Sequence, residues 1–208
     1  MADARRGAMI PRAVELVEGY RRKTISPVEA TRAALAAIDR YDPMVNAFVL
    51  VDADGAMAAA KASEARWHAA RPLGPADGVP TSIKDALWTR GWPTLRGSWL
   101  IDEAGPWDED APSVARLRET GAVLLGKTTT PEYSWKGVTD SPRYGVTGNP
   151  WNPATTAGGS SGGSAAAVCQ RINNNGQPQA ALPPDEGEML AAIGLIVQLG
   201  WIDLRVGR

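Results

Sequence analysis

Residues 158–168 read GGSSGGSAAAV, and this stretch decides how the rest of the chain is interpreted. A run of glycine and serine alone is typical of a flexible linker. Here the run leads directly into an alanine-rich segment that predicts the start of a helix. A glycine-rich turn in that position brings backbone amides and serine hydroxyls together at the positive end of the helix. From this stretch alone, a linker and a catalytic or anion-binding loop are equally supported.

Two motif interpretations of the stretch fail. The spacing Gly158-x-Ser160-x-Gly162 matches the nucleophile elbow of α/β-hydrolases, but that fold needs a histidine later in the chain. The single histidine, His68, precedes the serine. A phosphate-binding loop would end in Gly-Lys-Ser or Gly-Lys-Thr, whereas residues 163–165 read GSA. Serine chemistry in this loop therefore needs a base other than histidine.

Lys84 is the candidate for that base. It lies in GVPTSIKD, residues 78–85, flanked by the apolar Ile83 and Leu87. A lysine serves as a base where burial lowers its pKa enough to populate the neutral amine. Most lysines are solvated surface charges, and Lys84 taken alone would be interpreted as one of them. The lysine segment and the glycine–serine loop have to be judged together.

Together these two segments resemble the amidase-signature family. The intervening stretches GAVLLGKTTTPEYSW (residues 121–135) and YGVTGNPWNPATTAGGSSGGSAAAV (residues 144–168) are also similar to family sequence. So is the opening ISPVEATRAALAAIDRYDPMVNAFV (residues 25–49). The resemblance covers residues 10–168 and implies an α/β protein, a mixed sheet flanked by helices, that is only part of an amidase-signature fold.

The resemblance implies hydrolysis of carbon–nitrogen amide bonds by a serine–serine–lysine triad. By position, Lys84 would be the base, and Ser160 would be the bridging serine that relays the proton, preceded by a cis peptide bond. No cofactor is implied. The same resemblance assigns supporting roles in the loop to Ser161, Gly158, Gly159, Gly162 and Gly163.

The expected nucleophile is missing from this sequence. In the family it lies about two dozen residues past the bridging serine, in a GTDGGS-like segment whose amides also form the oxyanion hole. Here residues 180–186 read AALPPDE, and no serine or threonine follows Ser164. We therefore expect residues 1–168 to be the amino-terminal part of an amidase domain, truncated or frameshifted, and the chain to be inactive alone. Residues 169–208 are expected to be a tail foreign to the family.

Capping and breaking residues predict the first elements. Ser26 and Glu29 form a capping box for a helix from Pro27 to about Tyr41, with Asp42-Pro43 ending it. Residues 47–51 predict a short buried strand, and an alanine-rich helix is expected over about 54–71.

Later in the chain, Ser113 is expected to cap a helix that Gly121 closes in a left-handed conformation, and residues 122–125 predict a buried strand. Repeated helix-then-strand units favour an α/β layer architecture. Within the tail, residues 169–184 are expected to be a linker and residues 185–199 a helix capped by Asp185.

Composition excludes several classes of function. A net charge of −1 gives no electrostatic support for a nucleic-acid partner. One histidine and one cysteine, Cys169, cannot supply a typical zinc cluster or an internal disulfide. The longest apolar stretch, residues 189–199, is well short of the roughly 20 residues that a membrane span needs. The expectation is a cytoplasmic protein without membrane, metal or cofactor.

Two other functions stay open. A non-catalytic interaction protein could be built on the amidase fragment, with residues 189–199 mediating self-association. Alternatively, the chain could be part of the amidotransferase subunit that acts on glutamyl- or aspartyl-tRNA, because those subunits share the motifs. The amide substrate cannot be identified from sequence. Trp88, Trp92 and Trp99 could line an acyl pocket near Lys84, although packing under long loops is the favoured interpretation.

Overall fold

The computed structural model describes residues 12–172, with side chains described through Cys169. Five α-helices, seven strands and one 3-10 turn follow one another along this part of the chain. In order they are α1 (Ala13–Arg22), α2 (Pro27–Val45), β1 (Phe48–Val51), α3 (Ala53–His68), β2 (Pro80–Lys84), α4 (Pro112–Glu119), β3 (Val123–Thr128), the 3-10 turn (Glu132–Ser134), β4 (Asp140–Ser141), β5 (Gly145–Val146), β6 (Gly148–Asn149), β7 (Asn152–Thr156) and α5 (Gly162–Ile172).

The central sheet has three strands in the order β1-β3-β2. Strand β1 pairs with β3 in antiparallel orientation, and β2 pairs with β3 in parallel. The expected mixed sheet flanked by helices is confirmed. Strands β4 and β5 form one separate antiparallel pair, and β6 and β7 form another.

A bulge in β3 determines which side chains face which layer. Leu124 pairs with Thr81, and the next pair is Gly126 with Ser82, so Leu125 is an extra residue in the ladder. Val123 and Leu125 join the core cluster formed with helices α2 and α3. Leu124 joins the cluster formed with α4 on the other face. The bulge restores alternation one residue out of step, so Lys127 pairs with Ile83 of the α4-side cluster.

Helix α2 begins as predicted but ends later. Ser26 Oγ accepts from the Glu29 amide at 3.2 Å, and Glu29 accepts from the Ser26 amide at 2.8 Å, which confirms the capping box. The predicted end at Asp42-Pro43 is wrong, because the helix continues to Val45. A proline in the last turn removes only its own backbone donor. The helix ends at Asn46, which adopts the left-handed conformation and donates its amide to the Asp42 carbonyl at 2.8 Å.

The other predicted elements are present with shifted ends. Helix α3 begins after Asp52, whose carboxylate accepts from the Gly55 amide. The predicted Ser113 cap is wrong: Ala111 precedes α4 and makes no side-chain cap, because Pro112 takes the first helical position. Gly121 has φ +82°, which confirms the left-handed closure. Both predicted strands form, and β3 runs on to Thr128.

The chain beyond Val168 falls into two parts. Helix α5 passes through Val168 and is described to Ile172. The predicted linker beyond that point, the predicted helix 185–199 and the proposed self-association segment 189–199 lie outside the described residues. Within residues 12–172, every helix falls short of the length and apolar character needed to cross a membrane.

Candidate active site

Lys84 is the last residue of β2, and its side chain meets the residues just before α5. It is paired with Thr128 in the ladder, and only 9% of it is exposed. Its Nζ donates to Ser160 Oγ at 2.8 Å and to Ser161 Oγ at 3.1 Å. Burial lowers the pKa of Lys84 to about 8. The structure thus brings together a lysine and two serines that lie 76 and 77 positions apart in sequence.

The serine loop is held by a single threonine. Thr139 Oγ1 donates to the Gly158 carbonyl at 2.7 Å and accepts from the Gly162 amide at 2.9 Å. These two contacts grip the loop on either side of Ser160. The peptide bond between Gly159 and Ser160 is cis, as the family resemblance implied.

The loop glycines are needed because other parts of the chain lie against them. A Cβ on Gly159 would lie 2.8 Å from the Val138 carbonyl carbon, and one on Gly163 would overlap Thr129 Oγ1. Gly158 has open space around it but a φ of +76°, which side chains rarely adopt. The glycine–serine stretch is therefore a close-packed turn, and the linker interpretation is wrong.

Threonines of the segment after β3 support the loop from below. Thr128 Oγ1 lies 2.7 Å from Ser164 Oγ in the first turn of α5, and both residues are fully buried. Thr130 Oγ1 donates to the Ser160 carbonyl at 3.4 Å and lies 2.7 Å from Ser134 Oγ. These contacts tie α5 and the serine loop to the carboxyl end of β3.

Sequence reasoning missed a second polar cluster, centred on Asp85. The Lys127 ammonium lies 3.0 Å from Asp85 Oδ1, with both side chains almost fully buried. The Tyr144 hydroxyl donates to Asp85 Oδ2 at 2.6 Å, and the Leu95 amide donates to Oδ1 at 3.3 Å. The available signal was a charge at the end of each apolar strand segment, Asp85 after β2 and Lys127 within β3.

The tryptophans near Lys84 divide into packed and exposed ones. Trp92 packs against the α4-side core cluster and donates its Nε1 to Asp52 Oδ2 at 3.2 Å. Trp88 contacts Trp107 edge-on and remains partly exposed. Trp99 is exposed and stacks with the Arg143 guanidinium 4.5 Å from its ring centre. The packing interpretation fits Trp92 best.

This arrangement can move a proton. Neutral Lys84 can accept the Ser160 hydroxyl proton, and Ser160 can accept a proton from a third group in turn. Across residues 12–169 no cluster of three metal-ligating histidine, cysteine, aspartate or glutamate side chains occurs. The site therefore offers acid–base chemistry from side chains alone in the part of the chain that is described.

Comparison with known sequences agrees with this geometry. A family model described as Amidase matches residues 29–176. The A-type subunit of glutamyl-tRNA(Gln) amidotransferase from Acidothermus cellulolyticus is 46% identical over 140 residues, which is 67% of this chain and 28% of that protein. The corresponding protein from Chloroflexus aurantiacus, which carries the same name, is 42% identical over 163 residues, 78% of this chain and 32% of that protein.

Solved structures show the same partial match. A bacterial aryl acylamidase described as belonging to the amidase signature enzymes superposes with a TM-score of 0.74 and 35% identity, covering 79% of this chain and 34% of that one. A structure described as an amidase gives a TM-score of 0.71 and 32% identity, covering 78% and 37%. The chain thus spans about a third or less of the length of the curated relatives it matches.

Proposed function

The chain belongs to the amidase family, and we propose that it supplies the base and the bridging serine of an amide-hydrolysing site. The observation that carries the proposal is the 2.8 Å hydrogen bond between Lys84 Nζ and Ser160 Oγ. Burial lowers the pKa of Lys84 to about 8, so roughly a tenth of the side chain is neutral at pH 7. That fraction is large enough for a general base.

The proposed chemistry is acyl transfer through a serine relay. A nucleophilic hydroxyl attacks the amide carbonyl carbon and passes its proton to Ser160 Oγ, while the Ser160 proton moves to Lys84 Nζ. The Lys84 ammonium then returns a proton through Ser160 to the leaving amine, and water releases the acyl group by the same relay. Ser161, the second acceptor for Nζ at 3.1 Å, holds the amine in line.

The attacking hydroxyl is the part that this sequence does not supply at the family position. Residues 180–186 read AALPPDE, and no serine or threonine follows Ser164. We propose accordingly that the 208-residue chain does not turn over amides alone and would do so when the missing segment is restored. The substrate class of the restored enzyme is an amide, and its identity is left to experiment.

A second candidate is the role of an amidotransferase component. It is favoured by the curated relatives of 42–46% identity, which are named as glutamyl-tRNA(Gln) amidotransferase subunits. In that case the amide would be that of glutamine, and the released ammonia would pass to an acylated tRNA bound by partner subunits. The two candidates share the lysine and the bridging serine and differ in the substrate that the remaining part of the enzyme binds.

The test is a chimera in which residues 1–172 precede the carboxy-terminal part of the Acidothermus cellulolyticus relative. We expect the chimera to hydrolyse glutamine or a simple aryl amide and to react with a fluorophosphonate probe, whereas the 208-residue chain does neither. Lys84→Met and Ser160→Ala should each lower kcat/KM of the chimera by about 10²- to 10⁴-fold. Lys61→Met, at an exposed site in α3, is the matched control.

Each outcome decides something. A folded chimera that keeps its activity with Lys84→Met would overturn the proposal. Labelling of Ser160 or Ser161 in the 208-residue chain would overturn the claim that the chain is inactive alone. Hydrolysis of glutamine but not of aryl amides would favour the amidotransferase candidate over the free-standing amidase.

A further inference from the structure

The two halves of the site are linked by one hairpin. Strands β4 and β5 belong to a turn, residues 139–147, that is closed at its base by the Thr147 amide donating to the Thr139 carbonyl at 2.9 Å. Tyr144 lies at its tip. Thr139 and Tyr144, at the two ends of hairpin 139–147, therefore touch different parts of the molecule.

The tip is tied to the strand that carries Lys84. The Tyr144 hydroxyl donates to Asp85 Oδ2 at 2.6 Å, and Asp85 directly follows Lys84. Asp85 is a firm anchor, because Lys127 and the Leu95 amide also contact its carboxylate. Burial raises the pKa of the Tyr144 phenol, and the Asp85 carboxylate raises it further. Tyr144 is therefore a protonated donor at every pH at which the protein is folded.

The base is tied to the loop that carries Ser160. Thr139 Oγ1 contacts Gly158 and Gly162, which flank the two serines, and Thr139 is buried. The Asn46 side-chain amide donates to the Tyr144 carbonyl at 2.7 Å and to the Val146 carbonyl at 3.1 Å, which fixes the hairpin to the end of α2. Hairpin 139–147 thus has three attachments, and two of them lie next to the two partners of one hydrogen bond.

We propose that hairpin 139–147 is a brace that sets the separation of Lys84 Nζ and Ser160 Oγ, with Tyr144 and Thr139 as its positioning residues. The functional weight of that separation rests on the proposed function, but the separation itself does not. The hydrogen bonds of both residues go to groups other than Lys84. Each acts through the backbone that carries a site residue, Tyr144 through Asp85 and Thr139 through the loop glycines.

Cutting the brace should change the environment of Lys84. If the serine loop moves away, water reaches Nζ and relieves the burial that lowers its pKa. The charged groups nearest in the chain, Asp85 and Lys127, contact each other and lie on the α4 side of the sheet. A change at Lys84 would therefore report solvent access and not a new ion pair.

The experiment is competitive acetylation of lysines in the 208-residue chain between pH 6 and pH 11, with peptide mass spectrometry to follow Lys84. In the unaltered chain we expect Lys84 to titrate near pH 8. In Tyr144→Phe, we expect the titration to move toward the ordinary value of 10.5. The neutral fraction of Lys84 at pH 7 should then fall about tenfold.

Two controls separate positioning from a general loss of stability. Tyr20→Phe removes another buried tyrosine hydroxyl bond, the one to the Gly78 carbonyl at 2.9 Å. That bond lies beyond the far end of β2, so Lys84 should titrate as before. Thr139→Val should reproduce the effect of Tyr144→Phe, and Thr139→Ser, which keeps the hydroxyl, should restore normal titration.

The double variant provides the sharpest outcome. If hairpin 139–147 is one link, cutting both ends should move Lys84 no further than cutting either end. Additive effects of Tyr144→Phe and Thr139→Val, or an unchanged titration in folded Tyr144→Phe, would overturn the proposal. The readout needs no turnover, so an inactive chimera leaves this result intact and the two proposals fail separately.

Discussion

Lys84 and Lys127 lie on neighbouring parallel strands, both buried, and they face opposite sides of one sheet. Lys127 contacts only oxygen acceptors among the described residues: the Asp85 carboxylate at 3.0 Å, the Leu87 and Pro93 carbonyls at 3.1 Å each, and Thr94 Oγ1 at 2.5 Å. The described contacts of Lys84 Nζ are two serine hydroxyls, which can accept or donate.

The difference between the two lysines lies in their partners. Burial lowers the pKa of Lys127 too, but the Asp85 carboxylate opposes that effect. Burial alone accounts for the lowered pKa of Lys84. Acceptors without protons of their own, such as carboxylates and carbonyls, need the ammonium form, whereas hydroxyls tolerate a neutral amine. Equal burial thus produces a structural cation on one face and a candidate base on the other.

Removing each lysine should have opposite effects on stability. Lys127→Met leaves the buried Asp85 carboxylate without its cation and should lower the free energy of unfolding by about 3–5 kcal/mol at pH 7. Lys84→Met removes a buried amine whose described partners are hydroxyls and not carboxylates, and it should raise that free energy. Urea unfolding followed by tryptophan fluorescence measures both variants. Equal losses in the two variants would show that the lysines do not differ as described.

The pH dependence should distinguish Lys84 in the unaltered chain. Its folded pKa of about 8 is below the ordinary 10.5, so between these values the unfolded chain binds more protons than the folded one. The stability cost is therefore complete below about pH 8 and disappears as the pH rises to about 10.5. The cost amounts to about 3 kcal/mol.

The measurement is the difference in unfolding free energy between Lys84→Met and the unaltered chain at pH 7, 9 and 10.5. We expect the advantage of the variant to shrink steadily across this series. An advantage that stays constant with pH would mean that Lys84 is not titrating in that window.

The smallest expected effect concerns the serine partners. Ser160→Ala removes an acceptor from the Lys84 ammonium, worth about 1 kcal/mol, and should lower the pKa of Lys84 further. Acetylation of Lys84 at pH 7 should become several-fold faster, while that of Lys127 stays the same. Ser161→Ala should act in the same direction but more weakly, because its contact is 3.1 Å instead of 2.8 Å. Slower acetylation in both variants would contradict this account.

Local signals in the sequence predicted a large share of the fold. The capping box of Ser26 and Glu29 and the left-handed Gly121 depend on residues close in the chain, so they could be identified directly. The Ser113 cap failed because the adjacent Pro112 took the first helical position, and the helix end at Pro43 failed because a last turn loses little to a proline. These errors concern competition between neighbours and shift ends by a few residues.

The sequence by itself determined the family, the mixed α/β character and the pairing of Lys84 with Ser160, since distinctive short motifs carry that information. Only the tertiary structure decided what surrounds Lys127. Strict alternation along β3 would put Lys127 on the face of Val123 and Leu125, and the bulge moves it to the other face. Its partner Asp85 is then completed by Tyr144, 59 residues further on. Contacts of that kind depend on how distant segments pack, and no local pattern encodes them.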